Sequence, residues 1–177
     1  MNGCLRAVRT ELRLMLEHIA KAGAAVVHQS PTFAQLDDVF GNPELALQKA
    51  MQYSIGTDWQ ATEKIRADVT LFYKDLDDLV STTDSMIVRD GRMVPARYDN
   101  RGVGRVYGAE VFIDHDFNGQ FNGWLSYTIS RAERRDSGAE EYRLFDFDQT
   151  HILALVGSYL LPSNWQVGAR YRLVSGS

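Results

Sequence analysis

The chain has 177 residues, 45% of them apolar and 24% charged, the balance of one folded domain and not of a disordered tail. Nineteen lysines and arginines against 23 aspartates and glutamates leave a net charge of −4, so there is no basic footprint and no nucleic-acid partner is expected. Cys4 stands alone, which excludes an internal disulfide and a cysteine-built metal cluster, and no apolar run approaches the ~20 residues of a spanning helix. Spanning strands stay open, because they alternate and escape a hydropathy window.

The first 28 residues are ambiguous. Arg6, Arg9, Glu11, Arg13, Glu17 and Lys21 interrupt every apolar stretch, so nothing resembles a signal peptide. Either the protein has no targeting signal or the sequence is an internal piece of a longer exported chain. Leu12 to Ala25 fits a short helix with Leu12, Met15, Leu16, Ile19 and Ala20 on one face, and fits two weak strands equally well.

From residue 50 the period is two. Met51, Tyr53, Ile55 and Trp59 alternate with polar or small residues, and so do Ile65, Ala67, Val69, Leu71 and Tyr73. The same pattern runs through Tyr107 to Ile113, Phe121 to Ile129 and Trp165 to Leu173, while His151 to Leu160 is apolar on both faces. Successive strand side chains point to opposite faces, so these are six strands, of which all but His151 to Leu160 have one apolar and one polar side.

A soluble half-buried sheet also alternates, but two features favour lipid. Tyr53, Trp59, Tyr73, Tyr107, Tyr127, Tyr159, Trp165 and Tyr171 sit near the ends of the apolar faces, where amphipathic rings collect at headgroup depth. Arg66, Asp68, Glu110, Asp114, Arg170 and Arg172 occupy the opposite faces, suited to a wet lumen. Ala50 to Trp59 at a tilt near 45° climbs about 24 Å, matching the roughly 25 Å apolar band of an outer-membrane barrel. Connections alternate as well: a short turn at Trp59 to Ile65, a long loop at Leu76 to Gly104, a tight turn at Asn118-Gly119, a long charged loop at Arg131 to Asp148, and a short turn at Leu161-Pro162-Ser163-Asn164. Short turns at one rim and long loops at the other are the membrane-barrel arrangement.

Several passages, in order, resemble one known family. They are His28-Gln29-Ser30-Pro31-Thr32; Phe40-Gly41-Asn42-Pro43-Glu44-Leu45 followed by Ala50-Met51-Gln52-Tyr53-Ser54-Ile55-Gly56; Leu71 to Val80; Asn100-Arg101-Gly102 with Tyr107-Gly108-Ala109-Glu110; and Ser126 to Ser130 with Phe147-Asp148-Gln149-Thr150-His151. Together they are similar to the C-terminal part of the β-barrel of TonB-dependent outer-membrane receptors, over roughly residues 28 to 177.

The resemblance implies energised import across the Gram-negative outer membrane, by a barrel of about 22 strands around a plug domain. Its partners would be outer-membrane lipid, the plug and the periplasmic TonB energy-coupling system. Its cargo would be a scarce small-molecule nutrient of the iron-siderophore, cobalamin, haem or carbohydrate class. Plug-like and energy-coupling segments and a terminal aromatic strand are not recognisable. The expected fold is therefore all-β: an antiparallel up-and-down meander over residues 29–177, forming a partial transmembrane β-barrel of about six to eight strands, not transport-competent alone. A small passive porin or adhesin barrel and a soluble β-sheet binding module are the rival readings. On the receptor reading Ala50 to Trp59 descends to the periplasm, Ile65 to Asp75 returns, and loops 76–104 and 131–148 face outside.

Catalytic chemistry is not expected. H-E-x-x-H, P-loop and C-x-x-C patterns are absent, and His18, His28, His115 and His151 are scattered with no nucleophile setting. Gly102-Val103-Gly104-Arg105-Val106-Tyr107-Gly108 echoes a dinucleotide loop but reads as a strand entry. Asp114-His115-Asp116 reads as a solvated strand end before a metal site, and Asp75, Asp77, Asp78 and Asp84 as a solvated acidic loop before a cation site. Arg170 and Arg172 share the polar face and read as lumen-lining charge. No cofactor, no metal and no catalytic residue is assigned, and the substrate-binding residues are left open.

Overall fold

The computed structural model describes residues 6–14, 18–89, 91–116 and 120–176. Cys4 and the Asn118-Gly119 turn lie outside them. Among the described residues nine strands form one sheet: β1 Arg6–Leu14, β2 His18–Gln29, β3 Gln48–Gln60, β4 Ile65–Arg89, β5 Arg92–Asp116, β6 Phe121–Arg135, β7 Arg143–Leu144, β8 His151–Leu160 and β9 Gln166–Ser175. Eight follow one another as an antiparallel meander, and the two-residue β7 pairs off the path with β6. The sheet is open: β1 and β9 are its two edges.

The segment that fits both helix and strand patterns is strand on both sides of residues 15–17, with β1 and β2 paired from Arg6↔Val26 to Leu14↔His18. Cross-strand pairing decides here, because each strand finds a ladder partner and a lone helix would have no face to cover it.

Register turns the period of two into faces. Ala20, Thr57, Val69, Val111, Tyr127, Leu153 and Leu173 form one row across seven strands. The next row toward the short turns is His18, Trp59, Ala67, Ile113, Leu125, Leu155 and Tyr171. The opposite face carries Lys21, Asp58, Arg66, Asp68, Thr70, Glu110 and Asp114, and on β9 Arg170 and Arg172.

Among the described residues nothing covers the apolar face. Ile55 is 63% exposed, Leu71 53% and Tyr171 53%, and among the described residues the only buried hydrophobics are Val80 and Ala96. The accessible surface is 12895 Å², against about 8,700 Å² for a compact soluble monomer of this mass. A water-soluble sheet needs a second layer over its apolar side. Among the described residues that layer is absent, so the soluble binding module finds no core here, and the exposed face suits an apolar solvent.

The two long connections differ from the loops expected at 76–104 and 131–148. β4 and β5 continue past Leu76↔Gly104 as one hairpin to Arg89↔Arg92, extending about 40 Å beyond the sheet. Register shifts between Leu76 and Leu79, Leu79 and Ser81, and Thr83 and Met86, with positive φ at Asp78 and Arg97, bend this hairpin as bulges do. They also break the alternation that would have marked it as strand. β6 likewise runs on to Arg135, so the connection to β8 is confined to 136–150 and is pinned by β7.

Candidate functional site: the rim where the long connections meet

Among the described residues, the short connections 61–64 and 161–165 lie at one end of the strands, and three long connections, 30–47, the β4–β5 hairpin and 136–150, lie at the other. The long connections dock on one another. Asn42 Nδ2 donates to the Tyr98 carbonyl at 3.0 Å. Asn100 Oδ1 accepts from the Ala46 amide at 2.7 Å, and its Nδ2 donates to the carbonyls of Ala46 at 3.2 Å and Asp78 at 2.8 Å. Gln48 Oε1 accepts from the Val80 amide at 3.2 Å. One asparagine thus ties loop 30–47 to both arms of the hairpin.

Loop 136–150 joins through Asp99. Its carboxylate accepts from Ser81 Oγ at 2.9 Å and Ser137 Oγ at 2.7 Å, while Ser81 Oγ accepts from the Ser137 amide at 3.2 Å. Arg134 donates to the Val80 carbonyl at 2.6 Å and pairs with Asp136, which also holds Arg143 at 2.9 Å. Asp148, buried at the base of the loop, accepts from the Ala132 amide at 2.7 Å and from Thr150 Oγ1 at 2.8 Å. Burial pushes the Asp99 carboxyl up, but the hydrogen bonds of Ser137, Ser81, Arg101 and Thr83 outweigh it and hold it below the usual range. At Asp136 burial is likewise outweighed, here by Arg134 and Arg143. Both stay ionised and keep the loops joined at neutral pH. Thr82, Thr83, Asp84, Ser85, Arg101, Ser137 and Gly138 line a polar recess in this rim.

The polar face of the sheet carries its own pairs. Asp58 accepts from Arg66 Nε at 2.8 and 3.0 Å. Asp68 pairs with Lys21 and accepts from Thr70 Oγ1 at 3.0 Å. The first pair bridges the adjacent strands β3 and β4, and the second reaches from β2 over Gly56 of β3 to β4, so each is paired before any ligand arrives.

The candidates singled out from the sequence do not converge. Asp114 lies on the polar face and His115 on the apolar one, with Asp116 the last residue of β5. Asp75 and Asp77 lie on β4, Asp78 at the positive-φ bulge and Asp84 beyond it. No three carboxylate, imidazole or thiol side chains among the described residues come close enough to hold a metal. Residues 102–108 are strand, not a phosphate loop. His18 stacks on Trp59 at 5.8 Å, and His151 Nδ1 bonds Tyr127 Oη at 2.8 Å, satisfying a polar pair on a lipid-facing surface. Asp99, Ser81, Ser137, Asp136 and Tyr142 went unmarked at the sequence level, since each is an ordinary polar residue by composition, whereas Asp148 stood in a family-like passage. Asn42 and Asn100 did carry a signal, as the asparagines of the two family-like passages.

An open antiparallel meander with an uncovered apolar face, a polar face of paired charges and all long connections at one rim is a segment of membrane β-barrel wall. The family described as "TonB dependent receptor-like, beta-barrel" matches residues 15–177, and the chain belongs to that family, one of receptors and not of enzymes. No curated protein sequence matches it. Among solved structures it is similar to the ferric-catecholate import receptor Fiu from E. coli K12, at 20% identity and TM-score 0.67 over 94% of this chain and 24% of that one. It is also similar to the alcaligin outer-membrane receptor FauA from Bordetella pertussis, at 20% identity and TM-score 0.69 over 97% of this chain and 29% of that one. The FrpB iron transporter from Neisseria meningitidis matches at 13% identity and TM-score 0.68, over 95% and 26%. At these identities the likeness is one of fold, and the chain spans about a quarter of the length of each.

Proposed function

We propose that residues 29–177 are a stretch of the barrel wall of an energised outer-membrane importer, with the rim of long connections facing outside to gather cargo. β3 then descends to the periplasm, β4 returns, and the polar face lines the lumen against a plug domain served by the TonB system. The cargo class is an iron chelate, since the three similar structures are named for ferric-catecholate import, alcaligin and iron transport. Cobalamin, haem and carbohydrates are the remaining cargoes that the family resemblance implies. The observation that carries this reading is the family match over residues 15–177, supported by an apolar face with no protein to cover it.

On this reading the isolated sheet has two unpaired edges, which a bilayer does not tolerate. The chain by itself is therefore expected to aggregate in water, refold only in detergent, and carry no cargo without the rest of the wall. Size-exclusion chromatography with circular dichroism tests the wall. A monodisperse β-rich monomer without detergent would overturn it, and a folded, heat-modifiable band recovered from liposomes would overturn the expectation that the segment does not insert alone. Uptake of a labelled ferric siderophore by cells carrying the receptor that contains this wall, abolished by removing TonB, tests the cargo class.

A further inference from the structure

We propose that loop 30–47 is a docking surface for a cationic, apolar peptide segment of a partner protein on the outer side of the membrane. That the loop faces outward rests on the barrel-wall reading; the chemistry of its surface does not.

The loop is a folded knob. The Asn42 amide donates to the Gln35 carbonyl at 2.7 Å and the Gly41 amide to the Asp37 carbonyl at 2.9 Å. Gln35 Oε1 accepts from the Thr32 amide at 2.9 Å, and Asp37 Oδ1 from the amides of Val39 and Phe40 at 2.8 and 2.7 Å. Gly41 is buried against the other limb, where a Cβ would lie 2.3 Å from the Gln35 carbonyl oxygen. Ties of this kind make a compact Ω-like loop, yet its large apolar side chains point outward: Phe33 is 96% exposed, Val39 71% and Phe40 65%. Membrane lipid does not reach them. Val27, Ala50, Leu76 and Gly104 form a row just below the loop, and Gly104 is twelve residues up β5 from Asp116. At a tilt near 45° that climb is about 29 Å, already above a roughly 25 Å apolar band.

Charge names the partner. Residues 30–47 hold three carboxylates, Asp37, Asp38 and Glu44, all on exposed residues, and no lysine or arginine. The surroundings do not offset them. On the facing hairpin, residues 77–103, four arginines with Lys49 at the foot of the loop only balance five aspartates. The third connection, with the end of β6, adds six carboxylates against four arginines over residues 131–150. One ring of the loop already holds a cation: the Arg97 guanidinium lies 5.5 Å from the centroid of Phe40, within reach of a cation–π attraction. A segment that sets lysine or arginine beside apolar side chains fits this surface, because the carboxylates steer it in and the rings hold it. A second copy of the loop fits worse, since it would bring like charges together.

Binding of fluorescent peptides to the receptor that contains this wall, held in nanodiscs of zwitterionic lipid, tests this. The probes are short peptides alternating lysine with leucine, glutamate with leucine, and lysine with serine. The lysine–leucine peptide is expected to bind about tenfold more tightly than either of the others. F33S/F40S should lower its affinity about tenfold, and D38N/E44Q several-fold with loss of the salt dependence. F147S, which removes a ring that is 81% exposed in loop 136–150, should leave it unchanged. Equal binding of the three peptides, or an affinity that survives F33S/F40S, would overturn the surface. A concentration-dependent dimer abolished by F33S/F40S would assign it to a second copy instead. Phe33→Cys in a Cys4→Ser background reads access: closure to a maleimide in the folded receptor would show that another part of the receptor covers the loop, and would overturn the proposal. Labelling by a membrane-impermeant maleimide in the purified receptor but not on intact cells would overturn the outward orientation, and with it the barrel-wall reading, while the peptide binding would stand.

Discussion

The sheet and its rim solve opposite solvation problems with one continuous set of strands. In the sheet, Ile55, Leu71, Val69 and Tyr171 stand exposed on one face, and burial within the protein stabilises almost nothing. That face depends on an external apolar solvent, while backbone ladders satisfy every strand to its neighbour. Past Tyr73 and Tyr107 the same β4 and β5 reach the rim, and there the buried side chains include the polar Ser81, Asn42, Glu133 and Asp148 beside Val80 and Ala96. Polar side chains are buried there because loops from three places in the chain meet, and each brings backbone groups that need partners. The contrast teaches where such a chain is sensitive: to charge in the sheet, and to lost hydrogen bonds at the rim.

The sharpest way to break the comparison is one substitution made in both regions. Leu71 sits about half-way up the apolar band of β4, so Leu71→Arg is expected to destabilise the membrane-inserted sheet by about 2–4 kcal/mol. Met93→Arg, at the hairpin tip where Met93 is 61% exposed, should change stability by less than about 0.5 kcal/mol. Denaturant titration, in bilayers, of the receptor that contains this wall reads both, and equal effects would remove the distinction between the regions. Next comes a backbone test inside the sheet. A Cβ at Gly108 would lie 2.3 Å from the Ile129 carbonyl oxygen and 2.9 Å from the Phe72 ring, so Gly108→Val should cost about 1–3 kcal/mol by overpacking. The same titration detects it as a lower midpoint.

At the rim, Asn100→Ala removes the acceptor of the Ala46 amide and the donor to two carbonyls. We expect about 1–2 kcal/mol of local opening, seen as faster hydrogen exchange at Ala46, with exchange in β6 and β8 unchanged. Slowed or unaltered exchange at Ala46 would show that the loop is held otherwise. The smallest effect is that of pH. Asp99 and Asp136 have folded pKa values below their unfolded ones. Their contribution is therefore complete above the unfolded value of about 3.9 and is lost as pH falls through the folded values. Protease cleavage in 136–150 should rise only below about pH 4. A rise between pH 5 and 7 would assign the rim's stability to other groups.

The sheet was legible in the sequence because strand alternation is local: Ile65 to Tyr73 and Tyr107 to Ile113 announce both strand and face within nine residues. Asymmetry of turn and loop lengths was legible for the same reason, as were Tyr53, Tyr73 and Tyr107, which register aligns across β3, β4 and β5. The outer half of the β4–β5 hairpin was not, since its bulges at Leu76, Leu79 and Thr83 shift the period and disguise strand as loop. Nor was the rim network. Asp99, Ser81 and Ser137 are ordinary polar residues until strand register and loop docking place them within hydrogen-bond distance.

By itself, then, the sequence determined an all-β meander with a lipid-compatible face, because each side chain's face depends only on its parity along a strand. The tertiary structure decided that β1 and β2 are strands, that loops 30–47 and 136–150 close on one hairpin, and that Arg105 and Arg135 meet at the Tyr142 ring while Glu133 joins Arg105 to Arg131. Those outcomes depend on which strand lies beside which and in what register, and pairing between distant segments is invisible to a pattern read along one of them.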